Sequence, residues 1–186
     1  ANHLIEQGLG CHTERGELQG HESGQDHLAI YLHNGTEYLE AMLGSFKARV
    51  APFNVNYRYV AEELRYLLDN AKARIVVYHD AFAPTLAEVL ADLPDIALLV
   101  QVPDDSGNDL LSGAIRYDDL LAEGSEDPVP VQLSPDDLYI LYTGGTTGMP
   151  KGVLWRQHDI FIAAMGGRPL GTTEPFDSLE AIVAAA

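Results

Sequence analysis

The chain has 186 residues, 46% apolar and 21% charged, enough for one domain with a real core and too apolar for wholesale disorder. A net charge of -17 disfavours nonspecific binding to nucleic acid or anionic membrane, yet leaves local phosphate sites open. The single cysteine, Cys11, excludes an internal disulfide framework and fits a reducing compartment. No apolar run approaches the roughly 18 residues of a membrane span. The start, A-N-H-L-I-E-Q-G-L-G, has neither the basic flank nor the apolar core of a secretory signal, so the expected location is cytoplasmic. The missing initiator methionine and the abrupt end at A-I-V-A-A-A suggest a piece of a longer protein.

In chain order, residues 2–9 read as a short helix, and 11–25, rich in glycine and charge, as a surface loop. H-L-A-I-Y-L-H (27–33) reads as a buried strand. Asn34 with Glu37 three positions later reads as a capping pair for a helix over 35–48. Tyr38, Leu39, Met42, Leu43 and Phe46 share one stripe of it. R-V-A-P-F reads as a strand broken at Pro52. Val60, Leu64, Leu67, Leu68 and Ala71 recur at helical spacing. R-I-V-V-Y (74–78) is a strand; Phe82, Leu86, Val89, Leu90 and Leu93 mark a helix stopped by Pro94; I-A-L-L-V-Q-V (96–102) is another strand. Such alternation predicts an α/β fold with a mostly parallel sheet covered on both faces.

Residues 103–137 are acidic and turn-rich, a connector around a short helical or extended piece at Tyr117 to Leu121. Residues 138–156 read as strand, glycine loop and strand, and His158 to Ala164 as the start of a helix. The organisation is thus a sheet unit over 27–102, an acidic connector over 103–137 and a strand–loop–strand over 138–156.

The loop itself, T-G-G-T-T-G-M-P-K-G-V (143–153), carries the chemistry. Gly144, Gly145 and Gly148 let a ligand approach the main chain, where successive N–H groups can converge on an anion. Thr143, Thr146 and Thr147 add hydroxyl donors, Lys151 a mobile cation, and Pro150 stiffness at the exit. The P-loop pattern fails, because Met149 and Pro150 separate Gly148 from Lys151 and Gly152 follows it. The dinucleotide fingerprint G-x-G-x-x-G fails on glycine spacing.

The whole string resembles the AMP-binding signature of the adenylate-forming enzymes: acyl-CoA synthetases, aryl-CoA ligases, luciferases and peptide-synthetase adenylation domains. The usual form has serine where this chain has Gly144, and the glycine variant is familiar among bacterial fatty-acyl-CoA ligases. Upstream, the segment from Leu32 to Val77 is similar to the N-terminal subdomain of acyl-CoA synthetases, with glycine commoner at Arg49. N-V-N-Y-R-Y and V-L-W-R-Q-H-D look most like actinobacterial ligases for fatty or steroid side-chain acids. The likeness covers about Leu28 to Gly167; Cys11 to Gln25 resembles nothing placed.

The resemblance implies the N-terminal part of the adenylate-forming large domain, with the C-terminal domain absent from these residues. It implies that a carboxylate attacks the α-phosphate of ATP to give an acyl-adenylate and pyrophosphate, and that coenzyme A then displaces AMP. Thr143, Gly144, Gly145, Thr146, Thr147 and Gly148 would wrap the β- and γ-phosphates, Lys151 would neutralise their charge, and Mg²⁺ would bridge phosphate oxygens without direct protein ligands. The expected partners are a small carboxylic acid, ATP and coenzyme A, with no nucleic acid. No catalytic residue is identified among these positions, so little turnover is expected of this stretch alone. The other reading is a non-catalytic nucleotide- or partner-binding domain of the same descent.

The remaining candidates have plainer readings. Cys11, His12, His21 and His27 fit no zinc spacing and read as solvated loop residues. His79 with Asp80 reads as a turn, and His158 with Asp159 as a helix cap. Tyr57, Arg58 and Tyr59 read as packing at the start of a helix, and Trp155 as core.

Overall fold

The computed structural model describes residues 1–145 and 148–185. Among them, strands and helices alternate: β1 (His27–Tyr31), α2 (Thr36–Lys47), β2 (Ala51–Asn54), α3 (Ala61–Asn70), β3 (Ala73–His79), α4 (Ala83–Val89) and β4 (Leu98–Val102). Helix α1 (Asn2–Glu6) precedes them. Then come β5 (Ala114–Arg116), α5 (Tyr117–Glu123), β6 (Leu138–Gly145), β7 (Gly148–Arg156), α6 (Gln157–Ala164) and α7 (Leu179–Ala185). The strands form one sheet in the order β5-β4-β3-β1-β2-β6-β7. Every neighbouring pair is parallel except β6 with β7, which is antiparallel. The predicted α/β class and the mostly parallel sheet are therefore what the chain forms.

Successive strand residues point to opposite faces, and both faces are buried. On one side Tyr31, Phe53, Val76 and Tyr78 pack against Leu64, Leu67 and Leu68 of α3 and Leu86 and Val89 of α4. On the other, Leu28, Ile30, Ile75, Val77 and Val100 meet Leu4 of α1, Tyr38, Ala41 and Met42 of α2, and Tyr117 of α5. Each fully buried aliphatic side chain contributes about 1.5–3 kcal/mol of transfer free energy. That is why the strands read as unbroken apolar runs.

Several local expectations are corrected. Helix α2 begins at Thr36 after Gly35, with no side-chain cap, so Asn34 and Glu37 do not form the expected pair. A reach-back of that kind occurs at α3, where the Val60 N–H donates to Glu63 Oε2 at 3.1 Å. The α2 stripe is also rotated. Leu39 and Leu43 are exposed, whereas Ser45 is buried and donates to the Ala41 and Met42 carbonyls. Small Ala41 and Ser45 carry the side of α2 that faces the core, while Leu43 and Phe46 border a groove.

Strand β2 is not broken at Pro52 but runs through it. The Ala51 and Val55 N–H groups donate to Asp26 and Ile30, so alternate residues turn the other way. Pro52 thus directs its missing N–H away from β1, toward the side where β6 has only begun. The acidic stretch 103–137 contains β5, an edge strand that spacing did not predict, as well as α5.

Candidate nucleotide-phosphate site

Strands β6 and β7 run further into the glycine loop than its composition suggests, because pairing continues from Leu138↔Arg156 to Gly145↔Gly148. Tyr142 stands opposite Gly152, and Thr143 opposite Lys151. The backbone of Thr143 and Lys151 is therefore held in a ladder rather than in a ring of converging amides. Directly opposed residues share a face, so the Thr143 and Lys151 side chains leave the ladder on the same side, both exposed. Gly144 follows Thr143 and Gly148 lies nearer the tip, and a Cβ added at either would meet no atom within 4 Å. Thr146 and Thr147 lie outside the described residues.

The opposite face anchors the hairpin. The Tyr142 hydroxyl donates to Asn70 Oδ1 at 2.8 Å, and the Tyr66 hydroxyl donates to the Pro150 carbonyl at 3.2 Å, tying both strands to α3. Burial, with Tyr66 nearby, pushes the Tyr142 hydroxyl up to about 12, which keeps it a neutral donor. Gly152 has a specific use here: a Cβ would come within 3.1 Å of the Tyr142 ring and of Ile140 Cγ2. Along the face that carries Thr143, an apolar groove of about 670 Å³ runs between Met42, Leu43 and Phe46 of α2 and Ile160, Phe161 and Met165 at α6. Tyr139 and Leu141 form its floor.

At the root of the hairpin is a cluster that the sequence reading did not single out. Arg49 ends α2 with φ 56, a left-handed conformation costing roughly 1–2 kcal/mol for a residue with a side chain. The Arg49 N–H donates to the Phe46 carbonyl and the Val50 N–H to the Ser45 carbonyl, the paired bonds of a Schellman end. Its guanidinium donates from Nε to Asp137 Oδ2 and from Nη2 to Asp137 Oδ1, both at 2.9 Å. It also grips Glu14 with two bonds of 2.8 Å. These hydrogen bonds, Glu14 first and Asp137 second, raise the guanidinium pKa further above its ordinary value. Gln25 completes the cluster, donating to the Arg49 carbonyl at 2.8 Å and accepting from the Leu138 N–H at 2.7 Å. The available signal was an arginine where the family resemblance favours glycine.

The histidines are placed differently from one another. His27 is buried rather than solvated: Nδ1 donates to the Ala71 carbonyl and Nε2 accepts from Ser23 Oγ. Burial lowers its pKa. His12 pairs with Asp26 at 2.7 Å. His79 ends β3, and its Nδ1 accepts from the His33 N–H at 3.0 Å. Among the described residues no cluster of His, Cys, Asp and Glu could hold a metal ion. Asp159 does not cap α6 but pairs with Arg156 at 2.6 Å. Tyr57 is exposed under the Arg58 guanidinium, while Tyr59 packs against the core; Trp155 is half-buried.

A paired Thr143 and Lys151 near open glycines offers a hydroxyl and a cation that suit a multiply charged anion. The family model for AMP-binding enzymes matches residues 18–183. The chain belongs to that family. It is 61% identical over 183 residues to "Medium-chain acyl-CoA ligase Mig" of Mycobacterium avium, covering 98% of this chain and 33% of that protein. It is 42% identical over 150 residues to "3-oxocholest-4-en-26-oate–CoA ligase" of Rhodococcus rhodochrous, covering 80% of this chain and 27% of that one. The chain thus spans about a third or less of the length of these curated relatives. The anthranilate CoA ligase AuaEII, solved with anthranoyl-AMP, shares the fold with a TM-score of 0.73 at 20% identity, over 89% of this chain and 29% of that one. No described helix of this AMP-binding chain is long and apolar enough to cross a membrane.

Proposed function

We propose that the chain is the phosphate-gripping N-terminal portion of an ATP-dependent acyl-CoA synthetase, an acid–thiol ligase acting in the cytoplasm. In the first half-reaction a carboxylate oxygen attacks the α-phosphorus of ATP, and pyrophosphate leaves with the electron pair of the broken P–O bond. In the second, the thiol of coenzyme A displaces AMP from the acyl carbon. The observation that carries this reading is Thr143 facing Lys151 at the exposed end of a glycine hairpin, in a chain of the AMP-binding family. A hydroxyl and an ammonium on one face can bind the β- and γ-oxygens while charge builds on the departing pyrophosphate. Thr146 and Thr147 would add hydroxyl donors and Gly144, Gly145 and Gly148 the room. Mg²⁺ would arrive on the triphosphate oxygens, since this hairpin offers hydroxyls and a cation rather than carboxylates. The names of the relatives favour a fatty or steroid side-chain acid as the substrate.

The test is carboxylate-dependent ATP–pyrophosphate exchange by the natural full-length protein, with short, medium, long and sterol-derived acids. Exchange with at least one acid is expected. Its absence across the whole panel, with ATP still bound, would leave the non-catalytic binding domain as the better reading. Lys151→Ala removes a charge-assisted contact worth about 1.5–3 kcal/mol. The KM for MgATP should therefore rise about 10- to 100-fold, and an unchanged value would refute the assigned role.

A further inference from the structure

We propose that Arg49 is a positioning residue for the glycine hairpin, bracing Asp137 at the root of β6 and so setting where Thr143 and Lys151 meet the triphosphate. The inference rests on the phosphate reading of the hairpin. Strand β6 joins the parallel sheet through the register pair Phe53↔Ile140, while its antiparallel ladder with β7 continues out to Gly145↔Gly148. The hairpin is therefore a long arm on a short parallel joint, held further out by the Tyr142 and Tyr66 hydroxyls on α3 and at its root by whatever fixes Asp137. From Asp137 to Thr143 the strand spans about 20 Å at its ordinary rise. Over that length a change of about 3° in strand direction amounts to about 1 Å, a displacement that can cost on the order of 100-fold in rate.

Asp137 fixes the root end of that strand. It is 3% exposed, its carboxylate takes the bidentate grip of Arg49, and its carbonyl accepts from the Gln157 N–H at 2.7 Å. One residue thus ties the start of β6 to the start of α6, immediately after β7. The carboxylate's other donor, the Ser134 N–H at 3.3 Å, is more distant than the guanidinium nitrogens. Gln25 repeats the tie one residue further on, between the Arg49 carbonyl and the Leu138 N–H.

Backbone geometry points the same way. A glycine would hold φ 56 without strain, so the arginine keeps an unfavourable conformation and aims a guanidinium at the root. Lys72 ends α3 with the comparable φ 50, yet no ion pair engages it among those of the described residues. The left-handed turn alone, then, does not create such a brace. At Arg49 two carboxylates from separate segments converge on it: Glu14 from the N-terminal loop and Asp137 from the hairpin.

The experiment uses pyrophosphate exchange by the natural full-length protein, with Arg49→Gly, Arg49→Lys, Asp137→Asn and the Arg49→Gly/Asp137→Asn double variant. Arg49→Gly is the decisive change, because glycine suits the left-handed turn while the guanidinium is lost, and the double variant also removes the buried carboxylate left unpaired. We expect the KM for MgATP to rise about ten-fold or more in Arg49→Gly and in Asp137→Asn, with the KM for the carboxylate within about two-fold. The double variant should be no worse than either single one, and Arg49→Lys should recover part of the loss. An unchanged MgATP KM in Arg49→Gly beside a raised one in Lys151→Ala sinks the brace alone. Equal rises in both KM values, tracking a fall in melting temperature, sink it too and leave a merely structural ion pair. An unchanged MgATP KM in Lys151→Ala sinks the phosphate reading, and the brace with it.

Discussion

Replacing Gln101 with leucine should destabilise the protein by about 2.5 kcal/mol, although leucine is apolar, similar in size and placed in an apolar strand. Gln101 is 0% exposed in β4 and makes four hydrogen bonds. It accepts from the Tyr78 hydroxyl at 2.6 Å and the Leu111 N–H at 2.9 Å. It donates to Asp80 Oδ1 at 2.6 Å and to the Asp109 carbonyl at 3.0 Å. Leucine breaks all four. Asp80 keeps Arg116 at 2.9 Å, and the exposed Asp109 can turn to water, which leaves the Tyr78 hydroxyl and the Leu111 amide orphaned. At about 1–3 kcal/mol for each of the two orphaned groups, less about 1–2 kcal/mol for the added apolar burial, the net cost centres on about 2.5 kcal/mol. For a chain of this length that lowers Tm by about 5–10 °C. Urea melts with an unchanged m-value measure it directly. Adding Tyr78→Phe removes one orphan and should restore about 1 kcal/mol. A Gln101→Leu variant within 0.5 kcal/mol of wild type, or a double variant less stable than the single, would refute the network as the source of stability.

The buried His27 carries a pH prediction. Its pKa is lowered by burial, the largest cause, so the folded state resists a proton that the unfolded chain accepts near pH 6.5. Stability should be level above that pH and fall as pH drops below it, by at most about 1.4 kcal/mol per unit for this one group. His79 is depressed in the same direction, chiefly by burial and then by His33. His27→Gln should accordingly reduce the acid slope between pH 5 and 6.5 without abolishing it, as read from urea midpoints; an unaltered slope counts against the assignment. Gly144→Ser should be tolerated within about 0.5 kcal/mol with exchange activity retained, because a Cβ there meets no atom within 4 Å. A loss of more than ten-fold in exchange would mean that the hairpin closes more tightly on its ligand than this arrangement shows.

Much of the fold was legible because burial on both faces of a parallel sheet forces a simple pattern. H-L-A-I-Y, R-I-V-V-Y and L-L-V-Q-V are apolar runs bounded by helices, and each became a strand in sequence order. What misled were features set by angles between elements. The α2 stripe looked like one face, yet Ala41 and Ser45 carry the core side and Leu39 and Leu43 are exposed. Strand β5 was missed because A-I-R is short and is a strand only by pairing with β4. The glycine loop was visible as a string, whereas the opposition of Thr143 and Lys151 depended on hairpin register.

By itself, then, the sequence determined the class of fold and the chemical character of the loop. Apolar period, glycine freedom and a lone lysine are properties of neighbouring residues. Only the tertiary structure decided which distant groups meet. Arg49 and Asp137 are 88 positions apart, and Gln25 and Leu138 are 113 apart. Such pairings follow from strand order, which places β6 beside β2 after a long excursion through β3, β4 and β5. A string that reads as a phosphate grip thus rests on a root whose partners lie in the N-terminal loop and at the end of α2.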